Sequence, residues 1–218
     1  MNLVLGPDGH YYSFSTHGLI VISRATKPNS IDGYWEILGS VLEGSSIINN
    51  TGSTDPWAPD VHKVGNTYYC YYAVSQFGSQ VSSIGLATSP NLLPGTWTDH
   101  GAVMSSSTTA EYPLNITNAI DPNLFVDPKT GTPYLNYGSF WSDIWQFHLS
   151  RDLKHVLENP PPTQLSFDPV SPQAEEGSYL NYRDGWYYLW FSHGQCCGFN
   201  ASDLPAPGLE SVYVRHTT

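Results

Sequence analysis

Residues 65–75 read GNTYYCYYAVS: a turn carrying Gly, a cluster of aromatic residues, then a small residue. The same order returns in DGHYYSFST from Asp8, TGTPYLNYGSF from Thr130 and DGWYYLWFSH from Asp184. The four copies start roughly 55 to 65 residues apart, the length of one four-stranded propeller blade with generous loops. Each is followed by a second apolar segment: GLIVISRA from Gly18, SSIGLATS from Ser82, FWSDIWQFHLS from Phe140, and SVYVRHTT at the end of the chain. Two units continue to a strand built around Trp, YWEILGSVL from Tyr34 and TWTDHGAVM from Thr96. These periods predict an all-β fold of the β-propeller type, in one domain over residues 1–218. Helices should be minor, because no helical periodicity runs beyond about two turns. A β-sandwich is the alternative, but its strands recur every 8 to 12 residues or so without a longer period.

Composition agrees. Fifteen Tyr, eight Phe and seven Trp favour strands, and 19 Gly with 17 Pro supply turns. The formal net charge of -11 repels phosphate backbones and anionic lipid heads, so neither nucleic acid nor a membrane surface is an expected partner. No run approaches the roughly 20 apolar residues of a membrane helix, and no charged-then-apolar leader precedes Leu3. Cys70, Cys196 and Cys197 are too few for a disulfide scaffold, and the adjacent pair is a poor metal site without further ligands. Asn49, Asn115 and Asn200 each open an N-x-Ser/Thr sequon, which suits a secreted protein. No Gly-rich phosphate loop points to a nucleotide or redox cofactor.

The segments leading into the aromatic strands hold the chemistry: WAPDVHKV from Trp57, NAIDPNLFVD from Asn118 and EEGSYLNY from Glu175. In a propeller the innermost strands ring the central axis, so polar residues at matching places in successive blades converge at one end of it. Asp121 and Glu176 occupy such places. NLVLGPDG from Asn2 also aligns with NLFVDPKTG from Asn123. Taken singly, Asp121-Pro122 also reads as a turn device, and Glu175 with Glu176 as a solvated pair.

WAPDV, FGSQVSSIGLATS from Phe77, WTDHG from Trp97, NAIDPNLF, YGSFWSDI from Tyr137, EEGSY and FSHGQCCGF from Phe191 together resemble the arabinanases of glycoside hydrolase family 43, in that family's order. The resemblance implies a five-bladed β-propeller, here incomplete at about four blades, and inverting cleavage of α-1,5-linked arabinan in pectin side chains. It implies Glu176 as general acid, with Asp121 tuning its pKa and orienting the sugar. Trp57, Phe77, Asn118, Ser139 and Trp141 become substrate-binding residues. The family's base is an Asp that the internal alignment puts just before Asn2, so the first inner strand and the last blade are expected to be missing and activity impaired. The family's central calcium ion is expected to go with that blade, leaving no metal site and no cofactor required. The resemblance further implies a monomeric, extracellular protein. An exo-acting arabinofuranosidase or xylosidase of the same family, and a non-catalytic arabinan-binding protein, stay open as alternatives.

Overall fold

The computed structural model describes residues 2–194 and 210–217, which form four antiparallel sheets and no α-helix. Cys196, Cys197 and Asn200 lie outside the described residues. Sheet one holds β1 (Asn2–Leu5), β2 (Tyr11–Ser15), β3 (Val21–Ala25) and β4 (Trp35–Ser40) in chain order. Sheet two repeats the pattern with β5 (Trp57–Val64), β6 (Thr67–Val74), β7 (Ser82–Ser89) and β8 (Thr98–Ser106). In sheet three, β9 (Asn123–Val126), β10 (Pro133–Tyr137) and β11 (Ile144–Leu149) are followed by β12 (Val156–Leu157) and β13 (Thr163–Ser166), which both pair with β11. Sheet four has β14 (Glu175–Arg183), β15 (Trp186–Gly194) and β16 (Glu210–Thr217). The leading segments are the first strand of each sheet, and β1 touches β5, β5 touches β9, and β9 touches β14. That is the propeller order, with inner strands side by side around an axis. The first inner strand, expected to be missing, is in place: Asn2 pairs with Phe14 and Leu5 with Tyr11.

The Tyr clusters are core. A strand sends alternate side chains to opposite faces, and a blade between two others buries both. Tyr68, Cys70 and Tyr72 of β6 therefore pack against Phe14, Ile20 and Ile22 of sheet one. Tyr71, on the other face, joins Leu124, Leu135 and Tyr137 of sheet three. The buried phenols find acceptors, Tyr71 on the Leu153 carbonyl and Tyr72 on Asp99, as burial of a hydroxyl requires. Large apolar side chains stay exposed at the two ends of the series, Leu3, Leu5 and Ile37 on sheet one and Tyr179, Trp190 and Val214 on sheet four.

Phe14 is fully buried and meets Trp97 edge-on at 5.9 Å between ring centroids. Phe14→Ala should cost about 3–5 kcal/mol through lost transfer energy and a cavity between blades one and two. Urea denaturation checks it; a change below about 1 kcal/mol is incompatible with this packing.

Candidate active site

A cleft of about 1020 Å³ opens at the end of the axis where the leading segments begin. Its wall includes all seven residues singled out from the sequence: Trp57, Phe77, Asn118, Asp121, Ser139, Trp141 and Glu176. Two inner strands carry a β-bulge there, between Trp57 and Asp60 in β5 and between Glu176 and Tyr179 in β14. A bulge breaks strict alternation, which lets side chains near the strand start turn into the cleft. Non-glycine residues with positive φ gather at the same rim: Ala58, Asp121, Phe140, Trp141 and Gln173, at 45° to 59°. Such concentrated backbone strain is characteristic of functional sites.

Asp121 and Glu176 face each other across the β9–β14 boundary. The Gly177 N–H, next to Glu176, donates to Asp121 Oδ2 at 3.1 Å. Glu176 Oε2 accepts a hydrogen bond from Ser139 Oγ at 2.7 Å, and Ser139 also forms a β-bridge with Glu176. Burial and then the neighbouring Glu176 charge push the Asp121 carboxyl up to about 7, against the opposing Gly177 hydrogen bond. The pair is thus built to hold a proton near neutrality.

That proton gives a stability prediction. An acid whose folded pKa exceeds its unfolded value favours the folded state while protonated. The contribution is fully present below about 3.8, the ordinary Asp value, and lost as pH rises to about 7. Asp121→Asn should flatten the fall in melting temperature across that window. Asp143, which burial pushes up to about 6 despite hydrogen bonds from the Asp168 and Glu175 amides, adds a slope that the variant keeps. Identical pH profiles for the two proteins would contradict the Asp121 assignment.

Glu175 and Glu176 are not a solvated pair. Glu175 turns to the opposite side of β14, is 3% exposed, and lies 3.7 Å from Arg215. Ser139 and Asn118 line the wall, yet each is 3% exposed and already bonded, Ser139 to Glu176 and Asn118 Oδ1 to the Ser82 hydroxyl at 2.6 Å. Phe77 is the opposite case, 79% exposed at the rim.

Sequence reasoning quoted WAPDV without singling out Asp60. This carboxylate is 5% exposed, and among the described residues its hydrogen-bond partners are all nitrogen groups. Asn2 Nδ2 donates to Oδ1 at 3.0 Å, Asn123 Nδ2 to Oδ2 at 3.4 Å and the Leu124 amide to Oδ2 at 2.6 Å. His62 Nε2 lies 2.9 Å from Oδ2. Burial alone pulls the His62 pKa down, but the Asp60 charge and hydrogen bond outweigh it and raise it. The signal available in sequence was the aligned pair Asn2 and Asn123, which bracket Asp60.

A hard cation such as calcium takes six or more oxygen ligands. Around Asp60 the groups are N–H donors, and among the described residues no three His, Cys, Asp or Glu side chains gather where they could hold a metal ion.

Comparison with known proteins accords with this geometry. The sequence profile of glycosyl hydrolases family 43 matches residues 8–206. A probable arabinan endo-1,5-alpha-L-arabinosidase A from Aspergillus flavus is 48% identical over 209 residues, covering 96% of this chain and 61% of its own length. The endo-arabinanase structure from Bacillus licheniformis superposes with a TM-score of 0.82 at 28% identity, covering 99% of this chain and 70% of that one. An exo-1,5-alpha-L-arabinanase from a bovine ruminal metagenomic library gives the same TM-score at 27% identity, with 99% and 69% covered. The chain thus spans about three fifths of the curated relative's length. With four blades in propeller order, two facing carboxyl groups in one cleft and a profile match over most of its residues, the chain belongs to glycosyl hydrolases family 43.

Proposed function

We propose that this chain carries the sugar-cleaving cleft of an inverting α-1,5-arabinanase, with Glu176 as general acid and Asp121 as its tuning partner. The observation that carries the reading is the convergence of these two carboxyl groups in one sugar-sized cleft. Ser139 Oγ donates to Glu176 Oε2 and fixes the carboxyl group, whose proton goes to the leaving glycosidic oxygen. Trp57, Trp141 and the exposed Phe77 offer apolar faces to furanose C–H surfaces, and Asn118 holds the wall behind them.

Inversion also needs a carboxylate that takes a proton from the attacking water, roughly 6.5 to 9.5 Å from the acid. Among the other acids lining the cleft, Asp60 is engaged by N–H donors, and Asp55 pairs with His17 at the rim at 3.0 Å. We assign the base role to neither. Turnover by the 218-residue chain is therefore expected to be low, although arabino-oligosaccharides should bind. Reducing-sugar release from debranched arabinan, run beside calorimetric titration with arabinohexaose, tests this. Binding with slow release supports the reading; absence of both removes it.

Exo action is the second reading, favoured by the equal structural likeness to an exo-acting enzyme. Product analysis separates the two: endo cleavage gives a ladder of oligosaccharides, exo cleavage a single small product. A polysaccharide substrate and the sequons at Asn49 and Asn115 go with a monomer acting outside the cell.

A further inference from the structure

The β14 strand carries Glu176, yet its bulge releases residues 177–178 from the ladder with β15. Something else must hold this stretch if Glu176 is to keep its place. Two acceptors from the start of β9 do so. Asp121 Oδ2 takes the Gly177 N–H at 3.1 Å, and Asn123 Oδ1 takes the Leu180 N–H at 2.9 Å. The acceptors are two residues apart on one strand start, and they grip both ends of the bulge on the other. Asn123 is itself immobilised: it is 1% exposed, its Oδ1 also accepts from Asn136 Nδ2 at 3.0 Å, and its Nδ2 points at Asp60 Oδ2. Asp60 completes the anchor through the Leu124 amide, one residue further along β9.

We infer that Asn123, tethered by Asp60, is a positioning residue that sets the separation of Asp121 and Glu176 by clamping the bulged edge of β14. An amide is suited to the task. It offers an acceptor to the Leu180 N–H and a donor to the Asp60 carboxylate at once, which neither Asp nor Leu at this position would do. The clamp also explains why a buried carboxylate sits among N–H donors at the axis: it orients Asn123 and therefore fixes which way Oδ1 faces. The inference deepens the hydrolase reading, because the separation matters for proton sharing between those two groups, but its geometry concerns the protein without substrate.

The test is made on the full chain without substrate, by amide hydrogen exchange and by NMR titration of the Asp121 carboxyl. In Asn123→Ala, Leu180 should exchange about tenfold faster, the effect of one lost hydrogen bond, and the Asp121 midpoint should fall as Glu176 moves away. Leu92→Ala, which opens a cavity in the loop between β7 and β8 away from the cleft, should leave the Asp121 midpoint where it was. If Asn123→Ala does not fold, Asp60→Asn serves: it keeps the shape and removes the charge of the tether, and smaller shifts in the same directions are expected. Unchanged Leu180 exchange and an unchanged Asp121 midpoint in a folded variant overturn the inference, as does an equal midpoint shift in Leu92→Ala. Since neither readout involves hydrolysis, a chain that fails to cleave arabinan would remove the functional reading and leave the clamp standing.

Discussion

Glu176→Gln should lower arabinan hydrolysis by about 10²–10⁴-fold while leaving oligosaccharide affinity close to wild type. The amide keeps the shape and still accepts from Ser139 Oγ, so the cleft wall is preserved. What disappears is the proton that the leaving oxygen needs as the glycosidic bond breaks. The loss therefore depends on the leaving group. With an aryl arabinofuranoside, whose phenolate departs without protonation, the variant should keep most of whatever activity the wild type has. Comparison of the two substrates isolates the acid role: equal losses on both would mean that Glu176 holds the site together and does not donate a proton. A change in arabinohexaose affinity of more than about tenfold would point the same way, because a group acting only in the transition state contributes little to ground-state binding. Asp121 should respond differently, since Asp121→Asn removes the neighbouring charge and moves the alkaline limb of the pH–rate profile, set by loss of the Glu176 proton, to lower pH along with the rate.

The blade series was legible because aromatic clusters repeat at blade spacing and because strands of a middle blade must be apolar on both faces, as Tyr68, Tyr71 and Tyr72 are. Asp121 and Glu176 were legible because they stand at matching places in successive blades, and the structure brings them to one cleft. Side-chain direction was harder to read. Glu175 and Glu176 are neighbours of the same type, yet one is buried behind β14 and the other faces the cleft, and the bulge after Glu176 is what makes the alternation there irregular. The Asp60 network was hidden for another reason. Apart from its contact with His62, its hydrogen bonds join residues 58 to 64 positions apart, from three blades, and no local pattern marks them. Likewise Ser139 looked like a sugar contact by position, whereas its hydroxyl is directed at Glu176. Positions follow from the repeat, but partners follow from how the blades meet.

Gly138→Ala should destabilise the chain by several kcal/mol, a large part of the roughly 5–15 kcal/mol that holds a typical domain together. Gly138 follows β10 and has φ +122°, a conformation that L side chains rarely adopt. A Cβ there would lie 1.9 Å from the Asp143 carbonyl oxygen and 3.0 Å from its carbon. These are backbone atoms, so no side-chain rotation relieves the clash. The Gly138 N–H donates to the Ile120 carbonyl at 3.0 Å, and Asp143, on the other side, takes the Asp168 and Glu175 amides on its carboxylate. Displacing either neighbour moves the segment before Asp121 or the start of β14, and Ser139, the partner of Glu176, is the next residue. Gly131→Ala is the matched control, with φ +72° and nothing within 4 Å of its added Cβ. It bears the backbone strain without the clash and should cost only about 1 kcal/mol. Thermal and urea unfolding of the two variants decide the matter: if they melt together, the close approach at Gly138 is not what shapes this corner of the cleft. If Gly138→Ala alone loses its cooperative transition, the close approach of this short turn to Asp143 is what the packing of this corner depends on.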